Sequence, residues 1–412
     1  MSTTKKALKN QVIVITGASS GIGLATAQAA AAQGATVVLV SRNENKLKTI
    51  ADRMQRRGHR VSYKVADVSD KEAVKRVAEE IEQEHGRIDT WVNNAGVSIY
   101  GRLTEIDRDD HEQVIRTNFW GVVNGSEAAL PALRRSRGTL VNLGSALSDR
   151  AVGMQGMYSA SKHAIKGYTD ALRMELMRDG IPVGVSLIKP GAINTPYTRH
   201  AKNYTGQRLS FPSPVYDPSV VAAGILHCAK TPVAHLTIGG GGKLISALGN
   251  RFPGLMDLFM VKGGAIDQQF LDEPVRTPAG ANNLHGPMED DSPSADGDYE
   301  GMVKNHSVFT NLRKHPVLTA ALGTAAGAGL FFGLKKLLGG GGDRDDRDFG
   351  GYDDADRGPR GGAAREERRY GDAGVREQPR SIPVRVPERS GAQPVQSTQP
   401  LSGADRMGGR GL

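Results

Sequence analysis

Short runs of β-branched and aliphatic residues alternate with longer helical patterns through the first half of the chain, and that alternation does most to narrow the fold. Strands are predicted at 11–16, 36–41, 60–64, 90–93, 138–143 and 183–188, and the clearest helices at 22–33, 71–85, 109–133 and 158–177. The second strand, Val37-Val38-Leu39-Val40, is apolar at every position. Such a strand is buried on both faces, as helices packed on each side of a parallel sheet provide. The expected class is therefore α/β with a doubly wound parallel sheet.

Hydrophobic residues make up 38% of the 412 residues and concentrate before about residue 270, so only the front of the chain builds a large core. The expected division is one domain over 1–270, a linker over 271–311 where Pro, Gly, Asn and Asp crowd, an apolar Gly/Ala-rich helix over 312–338, and a disordered Gly/Arg/Asp-rich tail over 339–412. The uncharged stretch 317–334 opens on Val317 and closes on Leu334. As a helix it reaches about 27 Å, slightly short of a bilayer core of about 30 Å. Gly323/Gly327 and Gly329/Gly333 have the spacing of close helix approach, so membrane contact, helix pairing and a soluble packed helix all fit. Basic residues flank the stretch on both sides and assign no orientation.

The formal net charge of +9 favours anionic ligands such as a phosphorylated cofactor, and no nucleic-acid motif accompanies it. A single cysteine, Cys228, forms no intrachain disulfide and reads as a packed thiol. The first ten residues contain no apolar run of the secretory kind, so a cytoplasmic protein is expected. No metal-ligand motif is recognised. The run Gly239-Gly240-Gly241-Gly242-Lys243 lacks the spacing of a phosphate loop and reads as a flexible turn before a helix at 244–248.

The first strand runs straight into Thr16-Gly17-Ala18-Ser19-Ser20-Gly21-Ile22-Gly23 and then a helical pattern. Three glycines allow a tight turn, a close backbone approach to a pyrophosphate and contact between helix and strand, while the helix N-terminus offers unpaired N–H groups and partial positive charge. A dinucleotide site of the Rossmann type follows. The second strand ends in Val40-Ser41-Arg42-Asn43. Where an NAD site places an acid for the ribose hydroxyls, this chain has Ser41 followed by Arg42, and a guanidinium suits a 2′-phosphate, so NADP(H) is expected over NAD(H). Asp67-Val68 follows the third strand, where a carboxylate accepts from an adenine amino group or caps the helix beginning near Ser69.

Tyr158 and Lys162, in Tyr158-Ser159-Ala160-Ser161-Lys162, share one helix face. A tyrosine titrating near 10 is a poor acid or base at neutral pH. Bringing it there requires about 4 kcal/mol, which a cation at about 4 Å supplies at an intermediate dielectric. Ser145 closes the strand Val141-Asn142-Leu143-Gly144 at the end of the sheet where such folds place ligands, and its hydroxyl can hold a substrate carbonyl.

Taken together, the glycine turn, Asn93-Asn94-Ala95-Gly96, Asn118, Ser145, Tyr158, Lys162 and Pro190-Gly191 resemble the short-chain dehydrogenase/reductase superfamily, in its group of roughly 250-residue enzymes, over residues 8 to 235. The resemblance implies an NADP(H)-dependent oxidoreductase that interconverts a carbonyl and an alcohol, with Tyr158 as general acid/base and Lys162 lowering its pKa and binding the nicotinamide ribose. It further implies that Ser145 positions the carbonyl, Asn118 holds a water linking Lys162 to solvent, Asn94 braces the sheet, and Thr195 in Ile193-Asn194-Thr195 meets the carboxamide. Ala95, Gly96, Pro190, Gly191 and Ile193 complete the cofactor positions, and a homo-oligomer is expected. Substrate choice falls to 197–218 and onward, where Tyr197, Tyr204, Phe211 and Tyr216 either line a pocket or pack a lid. About 140 residues beyond the domain leave one rival, a non-enzymatic NADP(H)-binding scaffold acting through its extension.

Overall fold

Alternate residues along the first two strands enter two different cores. Ile13, Ile15, Val37 and Leu39 belong to one, and Val12, Val14, Val38 and Val40 to the other. That double burial is seen in a computed structural model, which describes residues 6–240, 248–249, 251–275, 281–288, 292–307 and 309–311. All of these lie in the unit Met1–Gly341, and the unit Gly342–Leu412 falls outside them.

The sheet comprises β1 (Val12–Thr16), β2 (Thr36–Ser41), β3 (Val61–Val65), β4 (Thr90–Asn93), β5 (Thr139–Leu143), β6 (Gly184–Pro190) and β7 (His235–Ile238). Its order is β7-β6-β5-β4-β1-β2-β3 with every pairing parallel. On one face lie α1 (Gly21–Ala32) and α2 (Glu44–Gln55), and on the other α3 (Lys71–His85). α2 presents Leu47, Ile50, Ala51 and Met54 at helical spacing, and its first turn is capped by the Asn43 side chain, which accepts from the Lys46 amide. Each aliphatic side chain buried in this way contributes roughly 1.5–3 kcal/mol.

The helix predicted over 109–133 is three pieces: α4 (Arg108–Ile115), a π-helical turn (Arg116–Trp120) and α5 (Gly121–Ser136). The widened turn buries Asn118 completely, and such turns cluster at functional sites. α6 (Gly156–Arg178) carries Tyr158 in its first turn, and α7 (Pro218–Lys230) holds Cys228 fully buried. A further helix, α8, spans Pro253–Lys262. Strand order reverses between β1 and β4, and ligands of doubly wound sheets bind at the carboxyl ends beside such a reversal.

The stretch 271–311, expected from its composition to be a linker, lies against the domain at many of its described residues. Phe270–Pro274 pairs antiparallel with Gln207–Leu209, and Val303–Lys304 pairs with Val215–Tyr216. Leu284 is buried with Val97, Ile99, Ile106 and Val114, while Thr310 donates its hydroxyl to the Thr237 carbonyl of β7 at 3.2 Å. Backbone pairing and a few anchors do this work, and residue composition does not reveal either. Gly239 sits at φ +90° with its amide donating to Thr310 Oγ1, so the glycine run begins as a packed turn. Residues 241–247, the apolar segment over 312–338 with its stretch 317–334, and the tail over 339–412 lie outside the described residues. Among the described residues no helix is long and apolar enough to cross a membrane.

Candidate functional site

The glycine turn is built as the sequence requires. Gly17 adopts φ +66°, and a side-chain carbon there would lie 2.7 Å from the Ala95 Cα. At Gly23 such a carbon would fall 2.2 Å from the Gly17 carbonyl oxygen, so this glycine serves helix-to-turn contact. Asn94 fixes the turn by donating Nδ2 to the carbonyls of Thr16 and Gly17 at 2.9 and 3.2 Å. Because Thr16 ends β1, the same contacts brace the sheet beside the cleft.

A cleft opens at the carboxyl ends of β1 to β4. Gly17, Ser19, Ser20, Gly21 and Ile22 line its floor, Ser41, Arg42, Asp67 and Val68 one end, and Asn94, Ala95, Gly96 and Thr195 the other. Pro190, Gly191 and Ile193 stand apart from this lining. The Gly191 amide donates to Ile238 of β7 at 3.0 Å, and Ile193 packs in the core. Sequence reasoning missed Asn43, Lys46, Thr117, Ser98, Asn283, Pro287 and Met288, which also line the cleft.

Arg42 reaches across this end. Its Nη2 donates to the Asn283 carbonyl at 2.6 Å, and Nη1 lies 3.6 Å from Asp67 Oδ2, buried and without a hydrogen bond. Asp67 turns its other oxygen to the Ser69 amide and hydroxyl at 2.8 and 2.7 Å, while Asp70 caps α3 through the Ala73 amide. A buried guanidinium nitrogen with no hydrogen bond fits an anion in this cleft, and the glycine cradle fits the pyrophosphate of a dinucleotide.

The reacting end meets the cleft at Gly96, where a side-chain carbon would sit 3.3 Å from Asn118 Oδ1 and 3.7 Å from Lys162 Nζ. Asn118 accepts from the Val97 amide at 2.8 Å and donates to the Val97 carbonyl and to Ser161 Oγ, both at 3.0 Å. Its side chain therefore pins the loop beneath the lysine. Ser145 starts a 3₁₀ turn, its hydroxyl accepting from the Leu147 amide at 3.1 Å. Ser145 and Tyr197 are the polar neighbours that act on the Tyr158 hydroxyl. Tyr197 lies edge-on to the Tyr158 ring at 5.6 Å, donates to Gln155 Oε1 at 3.0 Å, and lies 2.6 Å from Ser98 Oγ. The only sequence signal for Tyr197 was an aromatic shortly after Pro190-Gly191.

Electrostatics at this end differ from the sequence expectation. Burial raises the Tyr158 hydroxyl above its usual range, with Ser145 and Tyr197 pulling the other way. Lys162 Nζ lies 5.5 Å from the Tyr158 ring centre and donates to the Leu143 carbonyl at 3.0 Å, so its charge does not overcome that burial. Burial also brings Lys162 itself down to about 8.

This lysine has a consequence for stability. Its folded value, about 8, lies below the 10.5 of an exposed lysine, so between these pH values the unfolded chain binds more protons and stability rises with pH. At pH 7 both states are protonated and the full burial penalty, on the order of 3 kcal/mol, is present. Denaturation midpoints of the wild type should climb across this window, and those of Lys162→Met should lack that increment. Parallel profiles for the two proteins would rule this out.

Comparison with known proteins agrees with this geometry. The family model described as short chain dehydrogenase matches residues 11–205. The chain is 41% identical over 323 residues to the uncharacterized oxidoreductase YxnA of Bacillus subtilis (strain 168), covering 77% of this chain and 89% of that one. It is 37% identical over 209 residues to a 3-ketodihydrosphingosine reductase of Bacteroides thetaiotaomicron, covering 50% and 72% of the two chains. Similar solved structures include a short chain dehydrogenase/reductase from Burkholderia phymatum in complex with NAD, at 24% identity and TM-score 0.55, over 61% of this chain and 96% of that one. Another is a gluconate 5-dehydrogenase from Burkholderia cenocepacia J2315 in complex with NADP and tartrate, at 25% identity and TM-score 0.51, over 58% and 99%. With its sheet order, glycine turn and this likeness, the chain belongs to the short-chain dehydrogenase/reductase family and is an oxidoreductase that binds a nicotinamide cofactor.

Proposed function

We propose that the protein is an NADP(H)-dependent reductase of an apolar ketone or aldehyde, working in reverse as an alcohol dehydrogenase. The observation that carries this reading is the meeting of two sites at Gly96, which lines the dinucleotide cleft and lies against Lys162 and Asn118, the residues beside Tyr158. When bound, the nicotinamide supplies or accepts the hydride. Ser145 orients the carbonyl oxygen, and Tyr158 donates the proton that the developing alkoxide takes up. Burial keeps the Tyr158 hydroxyl protonated, the state in which it can donate to the reduced carbonyl. Asn118 holds the Val97 loop in place, and Thr195 stands at the mouth of the cleft against Gly21. Apolar substrates fit the aromatic surroundings of Tyr158, where Tyr197 stacks on Phe211 at 6.2 Å and Tyr100 meets Phe270 edge-on at 6.3 Å.

The test is NADPH oxidation by the purified protein against ketones and aldehydes ranging from small dicarbonyls to steroids and long-chain 3-oxo compounds. Silence across that panel, with tight NADPH binding, would count against the reductase.

Cofactor preference is a separate proposal and rests on Arg42 at the end of the cleft, whose Nη1 makes no hydrogen bond and has only the longer ion pair with Asp67. Losing a charge-assisted bond of about 1.5–3 kcal/mol weakens binding roughly 10- to 100-fold. Arg42→Ala should therefore raise the NADPH dissociation constant by that factor and leave NADH nearly unchanged. Equal effects on both cofactors, or none on NADPH, would refute the 2′-phosphate assignment.

A further inference from the structure

The Gly21 amide opens α1, and the Ser20 side chain does not cap that helix. A carbonyl from far along the chain takes the amide instead, with Gly21 N donating to Ser294 O at 2.8 Å. Unpaired N–H groups at this helix end are what a pyrophosphate would occupy.

We propose that residues 292–299 form an acidic strap that seats the Ser294 carbonyl on the Gly21 amide, blocking the phosphate end of the cleft in the free protein, and that dinucleotide entry displaces it. The proposal rests on the cofactor reading above.

Several contacts hold the strap there. Ser294 Oγ donates to the Asp296 carbonyl at 2.8 Å and accepts from its amide at 3.2 Å, which fixes the direction of the Ser294 carbonyl. Gly297 donates its amide to the Asn194 carbonyl at 3.3 Å. A side-chain carbon there would lie 2.4 Å from the Thr195 carbonyl oxygen, so the strap touches the same residue that packs on Gly21. The Tyr299 amide donates to Asn194 Oδ1 at 3.2 Å, and its ring meets Phe211 edge-on at 6.4 Å. Just beyond, Glu300 pairs with Arg208 at 3.0 Å, and Asp298 lies 3.8 Å from the same guanidinium.

The chemistry suits a displaceable block. The Ser294 carbonyl presents its partial negative charge to a helix N-terminus that favours anions, so the strap stands in for phosphate there. Its hold consists of main-chain hydrogen bonds and ion pairs at the rim, with Ala295 the partly buried hydrophobic that packs on the core among its described residues. At the other end of the cleft, the Asn283 carbonyl keeps Arg42 oriented rather than covering the phosphate position.

Two variants loosen the strap, and Arg208→Gln does so at a residue outside the cleft lining. Gly297→Val drives a side chain into the Thr195 carbonyl, and Arg208→Gln removes the cation that anchors Glu300. A protein whose binding-competent state is a minor fraction binds more weakly by that fraction, so freeing the strap tightens apparent affinity. Gly297→Val should lower the NADPH dissociation constant about tenfold, largely through faster association, and Arg208→Gln should move it the same way by less. In the wild-type chain, amide hydrogen exchange across 292–300 should rise when NADPH is added. Weaker binding in both variants, or exchange that falls on adding NADPH, would overturn the proposal and make the segment a clamp on the cofactor. Tight NADPH binding with unchanged exchange would overturn the strap alone, whereas failure of wild type and variants alike to bind NADPH would overturn the cofactor reading beneath it.

Discussion

Tyr158→Phe is expected to lower kcat for NADPH-dependent carbonyl reduction by about 10³-fold while leaving NADPH affinity within a factor of about two, since positioned general acids contribute about 10²–10⁴-fold. The ring is retained, so the edge-on contact with Tyr197 at 5.6 Å survives and the pocket keeps its shape. Only the proton donor is lost. Because burial raises the Tyr158 hydroxyl above its ordinary range, it is protonated throughout neutral pH, and reduction should be flat across that range. Alcohol oxidation needs the same oxygen deprotonated and should quicken as pH rises into the alkaline region. Stopped-flow hydride transfer in both directions checks the pair of profiles. A Phe variant that reduces its substrate at a tenth of the wild-type rate would remove Tyr158 from the role of acid.

The parts of the fold legible in sequence are those written in side-chain periodicity. Val37 to Val40 announced a strand buried on both faces, and the two cores it enters lie on opposite sides of the sheet. The glycine turn was equally legible, because Gly17 needs a left-handed backbone and Gly23 has no room for a side chain. The seventh strand was not legible: in His235–Ile238, between Pro232 and the glycine run, a polar His and Thr alternate with Leu and Ile where a strand buried on both faces was sought. The π turn at Arg116–Trp120 left no mark either, since its register shift lies in the backbone and not in residue type. Residues 281–304 were hidden for the same reason. Pro, Gly and Asp read as linker, yet the contacts at Ser294, Gly297 and Asn283 are made by carbonyls and amides that every residue possesses. At the site, the residue types of Tyr158, Lys162 and Ser145 pointed to the chemistry, but the dielectric around them did not show. A lysine expected to acidify its neighbour is itself held at about 8 by burial.

Asn93 carries the largest expected effect on stability, and the reason lies in how the reacting helix is tied to the sheet. Its Oδ1 accepts from Trp91 Nε1 at 2.7 Å, and its Nδ2 faces Asn142 Oδ1 at 2.9 Å, Ser126 Oγ at 3.2 Å and the Val122 carbonyl at 3.3 Å. Asn142 continues the chain by donating to Thr169 Oγ1 at 3.0 Å, so one polar network joins β4, β5, α5 and α6. Every side chain in it is buried. Gly125 leaves the space, for a side-chain carbon there would lie 2.0 Å from Asn93 Oδ1. Removing the amide by Asn93→Ala leaves the buried Trp91 donor and Asn142 acceptor without their partner. At about 1–3 kcal/mol for each stranded group, unfolding free energy should fall by about 3–4 kcal/mol and Tm by about 10 °C. Asn142→Ala should be costly for the same reason, but the double variant should cost clearly less than the two single losses combined, since the second removal frees a group already stranded. Strict additivity in urea denaturation would mean that the two amides act independently and do not tie α6 to the sheet as one network.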